Sequence, residues 1–257
     1  MIRTLALCAM ALLLSLASLS TVRAQEVKLA VTDLVGLEQL QREFGAFVDV
    51  LERASGYDIA FFPVSNRTAA AEALRFRKVD FGLTGPAEYV VINKRTKAMP
   101  VVGFSRPDYF SVVFVLADSQ LRSLDDLRGK KIALGSLGST SKHLGPMQVL
   151  ADAGLEPAKD VTPVHTKLPQ AWEALKRGDV AAVGMTNDKF LKLRRQEHEA
   201  GGLQPGAFRV LGRGRDLPND VLMAGAHVDA AMIARIKQAF TSQSDDLVAA
   251  ILQGEDN

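Results

Sequence analysis

The sequence predicts an α/β fold in two lobes, each a mostly parallel sheet flanked by helices and joined to the other by two crossing strands. Three observations lead there. Short apolar runs alternate with amphipathic stretches almost throughout, the pattern of strands feeding helices. Two connections, at Arg106-Pro107-Asp108 and at Leu217-Pro218-Asn219-Asp220, depart from that rhythm and run into apolar strands. Removing a leader of 24 residues from the 257 leaves 233, enough for two lobes of about 100 residues each.

The leader is read from Arg3, the apolar run from Leu5 to about Leu19, and Val22-Arg23-Ala24 as a small-residue cleavage site, which predicts export to the periplasm with cleavage after Ala24. The run is short for a membrane span, and no later stretch approaches the roughly 20 apolar residues that a span requires. Cys8, the only cysteine, follows Leu7 inside the run, which disfavours lipid attachment. Cleavage removes Arg3 and Arg23, so that 29 of the 31 Lys+Arg remain against 29 Asp+Glu and the mature chain is formally neutral. Without a basic run longer than a pair it carries no footprint for nucleic acid. With no cysteine it holds neither disulfides nor thiolate metal sites, and no cofactor is expected.

Strands are expected at 27–31, 58–64, 81–84, 101–104, 111–117, 131–134, 161–165, 181–185, 209–212 and 221–226. Helices fill the gaps, the clearest over 37–54, where Leu40, Phe44, Phe47, Val48 and Leu51 fall at helical spacing and Gly56 stands just past the end. Others are expected at 68–77, 86–94, 124–127, 143–153, 169–176, 188–199 and 230–240. Trp172, beside Leu175, reads as core. The crossings divide the chain into one lobe of residues 25–110 plus 221–257 and a second of 111–220. Residues 253–257 follow a helical stretch with no visible cap, and the sequence does not say what they pack against.

The segment with most chemistry is Leu134-Gly135-Ser136-Leu137-Gly138-Ser139-Thr140-Ser141-Lys142-His143. A strand, a loop with two glycines, three consecutive hydroxyls and a helix start combine free N–H groups, the positive end of a helix dipole and hydroxyl donors, which suits a tetrahedral anion. Ser and Thr there equally serve as helix caps. Enzyme patterns fail: Ser139-Thr140-Ser141-Lys142 matches S-x-x-K without its S-D-N and K-T-G companions, and neither a P-loop nor G-x-S-x-G is present. A nucleotide hydrolase is therefore disfavoured; the chain is expected not to be an enzyme, with catalysis by Ser139 or Ser141 together with His165 as the alternative.

Gly138-Ser139-Thr140-Ser141 with His143-Leu144 and Pro146 resembles the signature of the periplasmic phosphate/phosphite/phosphonate-binding proteins of ABC transporters. Val79-Asp80-Phe81-Gly82 with Thr84-Gly85-Pro86 and Tyr89, and Ser123-Leu124-Asp125-Asp126-Leu127-Arg128-Gly129-Lys130-Lys131, resemble two further segments of that family, the second shared by many solute-binding proteins. The resemblance implies a type II periplasmic-binding fold that closes on a small phosphorus oxyanion and delivers it to an ABC permease. A membrane sensor kinase is the alternative partner. It implies that Ser139, Thr140 and Ser141 grip the anion, assisted by His165 at a strand end, with Tyr109 closing over it and Thr84 opposing from the first lobe.

Asn66-Arg67 departs from the Asp-Tyr frequent in the family. Arg67 either supplies a bidentate cation, suiting a compact anion, or is a solvated helix-start residue. Lys142 stands where the family usually has glycine. Asn187, Asp188, Asn219 and Asp220 are candidate rim contacts, with capping and turn formation as their plainer roles. A monomer is expected.

Overall fold

The computed structural model describes residues 24–32, 36–105 and 107–256. The leader up to Arg23 and Arg106 of the first crossing lie outside the described residues.

Ten strands among the described residues form two five-stranded sheets. The first contains β1 (Glu26–Val31), β2 (Asp58–Phe61), β3 (Phe81–Thr84), β4 (Met99–Gly103) and β10 (Val221–Ala224) in the order β2-β1-β3-β10-β4. The second contains β5 (Phe110–Leu116), β6 (Lys131–Leu134), β7 (Thr162–His165), β8 (Ala182–Thr186) and β9 (Phe208–Asp216) in the order β7-β6-β8-β5-β9. β2, β1 and β3 are parallel, as are β7, β6 and β8, while β10 and β5 run antiparallel to both their neighbours. The reversed strand of each sheet is the one that follows a crossing. Each lobe thus has one strand placed between its third and its last by a chain arriving from the other lobe. This is the mixed, two-lobed arrangement that the resemblance implies.

The helices are α1 (Leu37–Ser55), α2 (Arg67–Arg75), α3 (Pro86–Thr96), α4 (Gly145–Asp152), α5 (Pro157–Asp160), α6 (Leu168–Arg177), α7 (Asn187–Glu199), α8 (Ala230–Ser242) and α9 (Ser244–Asp256). Leu40, Phe47, Val48 and Leu51 of α1 bury one stripe against the first sheet, with Phe47 meeting Phe240 of α8 at 5.9 Å between ring centroids. The other face of that sheet is covered by α2 and α3 through Ala70, Leu74 and Ile92. In the second lobe Phe114, Trp172, Phe190 and Phe208 form an aromatic core, and the Trp172 indole donates to Glu197 Oε2 at 2.7 Å. Val113, Ile132 and Leu150 fill the opposite face.

Some elements differ from those expected. β2 ends at Phe61, and Phe62 N–H donates to Leu29 O at 2.8 Å just beyond it. β9 continues past Gly212 to Asp216, where Arg213, Arg215 and Asp216 are tolerated because the strand lies at a sheet edge. α9 extends the C-terminal helical stretch and packs on α1, with Leu247 buried in the first-lobe core. Among the described residues no helix is long and apolar enough to cross a membrane.

The two crossings are bonded to each other. Phe104 N–H donates to Asp220 O at 3.0 Å, and Leu217 N–H donates to Tyr109 O at 2.7 Å. The C-terminal ends of β1, β3 and β8 and the loop after β6 face the gap between the sheets, where α/β proteins place ligands.

Candidate ligand cleft

A cavity of about 500 Å³ lies between the lobes. From the first lobe it is lined by Thr32 just past β1, by Thr84 at the end of β3 and by Gly85. From the second it is lined by Ser141, Lys142 and Thr186, with Tyr109 and Asp220 at the crossings. Thr32 and Thr84 are buried and share a hydroxyl hydrogen bond of 2.9 Å. Ser141 is 4% and Thr186 3% exposed, yet both line the cavity. Thr186 is the N-cap residue of α7 but makes no side-chain capping bond. The outer part of the cavity has an apolar wall of Phe44, Leu168, Pro169 and Leu193 and a rim carrying Lys189, Lys192, Glu43 and Asp188.

The hydroxyl loop is fixed from within. Gly138 takes φ +86, a left-handed conformation that costs glycine little. Its N–H donates to His143 Nδ1 at 3.0 Å. Ser139 is an N-cap, its hydroxyl accepting from Lys142 N–H at 3.4 Å, while its carbonyl accepts from the N–H groups of His143 and Leu144. Residues Thr140–Leu144 make a π-helical turn before α4, which is why the helix expected from residue 143 begins as α at Gly145. Ser111 Oγ donates to Ser141 O at 2.8 Å and anchors the turn to β5. The N–H groups of Thr140 and Ser141 open the helical segment, the position whose amides have no intrahelical acceptor.

His143 accepts through Nδ1, so its ring is neutral, with the proton on Nε2. Its pKa lies below the usual imidazole range, chiefly through burial and then through the nearby His165 and Arg67. The two imidazoles meet edge to face at 4.7 Å, and His165 Nδ1 bonds Gly135 O at 2.8 Å.

The structure separates the residues expected at the site. Ser141, Thr84 and Tyr109 line the cavity, as do Asp188 and Asp220. Ser139 caps the loop, and His165 is exposed beside His143 and does not line the cavity. Arg67 and Thr140 sit to one side, where the lobes touch. Arg67 Nε donates to Glu88 Oε1 at 2.7 Å and its Nη1 to Leu137 O of the second lobe at 3.2 Å. Thr140 Oγ1 donates to Glu88 Oε2 at 3.1 Å and accepts from Ala87 N–H at 3.0 Å.

Thr32, Thr186 and Glu88 were not singled out from the sequence. For the two threonines the available signal was a hydroxyl residue at or just past the C-terminal end of a β-strand. For Glu88 it was an acid in the first turn of a helix opened by Pro86.

The sequence profile of the family described as "ABC transporter, phosphonate, periplasmic substrate-binding protein" matches residues 36–254. The chain is 23% identical over 236 residues to the phosphate-import protein PhnD of Mycolicibacterium smegmatis, covering 86% of this chain and 73% of that protein. Its fold is similar to that of PhnD1 from Prochlorococcus marinus in complex with methylphosphonate, with a TM-score of 0.72, 17% identity and 90% of each chain covered. A Xanthomonas citri protein bound to ATP aligns with a TM-score of 0.71 at 20% identity, over 91% of this chain and 89% of that one.

Proposed function

Because the chain belongs to the periplasmic substrate-binding proteins of phosphonate ABC transporters, we propose that its own ligand is a phosphorus oxyanion held between the lobes, phosphate, phosphite or a phosphonate with a short organic substituent. The observation that carries this reading is the convergence of buried hydroxyls from both lobes, Thr32 and Thr84 from the first and Ser141 and Thr186 from the second, on one cavity, with Ser141 in the opening turn of the π-helical segment. Hydroxyls and helix-start N–H groups can donate to an anion with several acceptor oxygens, and Lys142 adds a positive charge to the same lining. Tyr109 and Asp220, at the hinge, touch the same cavity and so move with closure.

Arg67 gives no support to a compact inorganic anion, because its guanidinium is engaged with Glu88 and Leu137 and does not line the cavity. A volume of about 500 Å³ lies within the range of pockets for small organic ligands, about 300–1,000 Å³. The wall of Phe44, Leu168 and Leu193 accommodates a short organic group. The protein acts as a monomer in the periplasm after cleavage behind Ala24, binding without turnover. The lobes of residues 25–110 plus 221–257 and 111–220 close as bodies, and the family match favours an ABC permease over a sensor kinase as reader of the closed form.

Calorimetric titration of the mature chain with phosphate, phosphite, methylphosphonate, 2-aminoethylphosphonate and sulfate tests the proposal. At least one phosphorus oxyanion binds below millimolar concentration and more tightly than sulfate. Ser141→Ala weakens that binding by about 1–3 kcal/mol, the cost of losing a buried donor to an ionic acceptor. Binding of none of the five, or turnover of the ligand, overturns it.

A further inference from the structure

We propose that Thr140 and Glu88 form a latch between the lobes, so that closure is stabilised by contacts of the protein with itself as well as by ligand. The inference rests on the two-lobed binding reading but on no particular ligand.

α3 opens with Gly85 as its N-cap, which has no side chain to satisfy the first N–H groups of the helix. Thr140 of the opposite lobe supplies the missing cap. Its hydroxyl accepts from Ala87 N–H and donates to Glu88 Oε2, so that one side chain engages both a helix-start amide and the carboxylate of the same first turn. The arrangement resembles a capping box whose capping residue comes from the other lobe. The Glu88 side chain is only 3% exposed, and its second oxygen accepts from Arg67 Nε, while Arg67 Nη1 reaches across to Leu137 O.

Gly85 leaves room for this. A Cβ there would lie 2.4 Å from Glu88 Oε2, displacing the carboxylate from the place where it meets Thr140. Opening the lobes breaks the two bonds of Thr140 and the Arg67 bond to Leu137, and returns Ala87 N–H and the Glu88 carboxylate to water. The latch therefore favours closure without holding it irreversibly. It also accounts for Thr140 and Arg67, both anion-binding residue types, standing beside the cavity and not in its lining. Thr140, Glu88 and Arg67 are positioning residues that set how often the cleft closes.

The only cysteine is Cys8 in the leader, so the mature chain accepts a pair of introduced spin labels without background. Lys94→Cys and Gln170→Cys place one label on an exposed site of each lobe, and the interlabel distance is measured with no ligand present. The labelled protein shows a closed, short-distance population. Thr140→Val, which keeps the side-chain shape and removes both bonds, lowers the ratio of closed to open forms by about ten-fold or more, as expected for bonds to a charged group. Glu88→Gln lowers it in the same direction. Methylphosphonate, the probe ligand, restores the short distance in both variants.

Thermal melts establish that each variant is folded, and Thr140→Val stands as the test if Glu88→Gln is not. An unliganded distance distribution identical in the parent and Thr140→Val overturns the latch, as does one in which Thr140→Val changes methylphosphonate affinity alone. Because the distances are taken without ligand, the latch fails or stands separately from the proposed oxyanion specificity.

Discussion

At the scale of single residues, the loop between β6 and α4 divides its polar groups among distinct tasks. Ser139 spends its hydroxyl on capping, Thr140 on Glu88, and Ser141 faces the cavity. His143 closes the loop from inside, and only its neutral form can accept from Gly138 N–H. Its folded pKa lies below the ordinary 6.5, which fixes the sign of a pH effect. Below about pH 6.5 the unfolded chain takes up a proton that the folded loop resists, so this contribution is fully present above that pH and is lost as pH falls toward the lower folded value. Thermal melts at about pH 7.5 and 5.5 then show a larger drop in Tm for the parent than for His143→Asn, whose Oδ1 can still accept from Gly138. Equal drops would remove His143 from the account.

At the scale of elements, what the sequence revealed and what it hid follow from where each element's stabilisation comes from. α1 was legible because its apolar stripe and the glycine after it are local signals. All ten strands were placed near their observed positions, since runs such as Val112 to Val115 are buried on both faces of a sheet and read as continuous apolar segments. The far end of β9 was hidden, because an edge strand bearing Arg213 and Arg215 has no apolar alternation to detect. The partner of the C-terminal helix was hidden for another reason, that only tertiary structure brings α9 to α1. Leu247 is 1% exposed at that contact, so Leu247→Ala destabilises the protein by about 2–5 kcal/mol in chemical denaturation. A change below about 0.5 kcal/mol, the usual size for a surface substitution, would show that α9 does not belong to the first-lobe core.

At the scale of the whole molecule, two sheets with the same strand order are joined by two crossings that hydrogen-bond to each other, and strand ends from both converge on one cavity. The hydroxyl loop was visible in the sequence as a motif, but its division of labour was not. Whether Ser141 or Thr140 faces the cavity depends on the π-helical turn and on Glu88 across the cleft, neither of which leaves a local signature. Thr32 and Thr186 were missed because a lone threonine at a strand end differs from others only by what the second lobe brings near it.

The most direct test of the central claim, an oxyanion held between the lobes by Ser141 and the threonines, is a crystal structure of the mature chain grown with methylphosphonate. The account predicts the phosphonate oxygens about 3 Å from Ser141 Oγ and from the threonine hydroxyls of the same cavity, with the methyl group toward Phe44 and Leu168. Methylphosphonate bound outside this cavity, or inside it with Ser141 out of hydrogen-bonding reach, would contradict it.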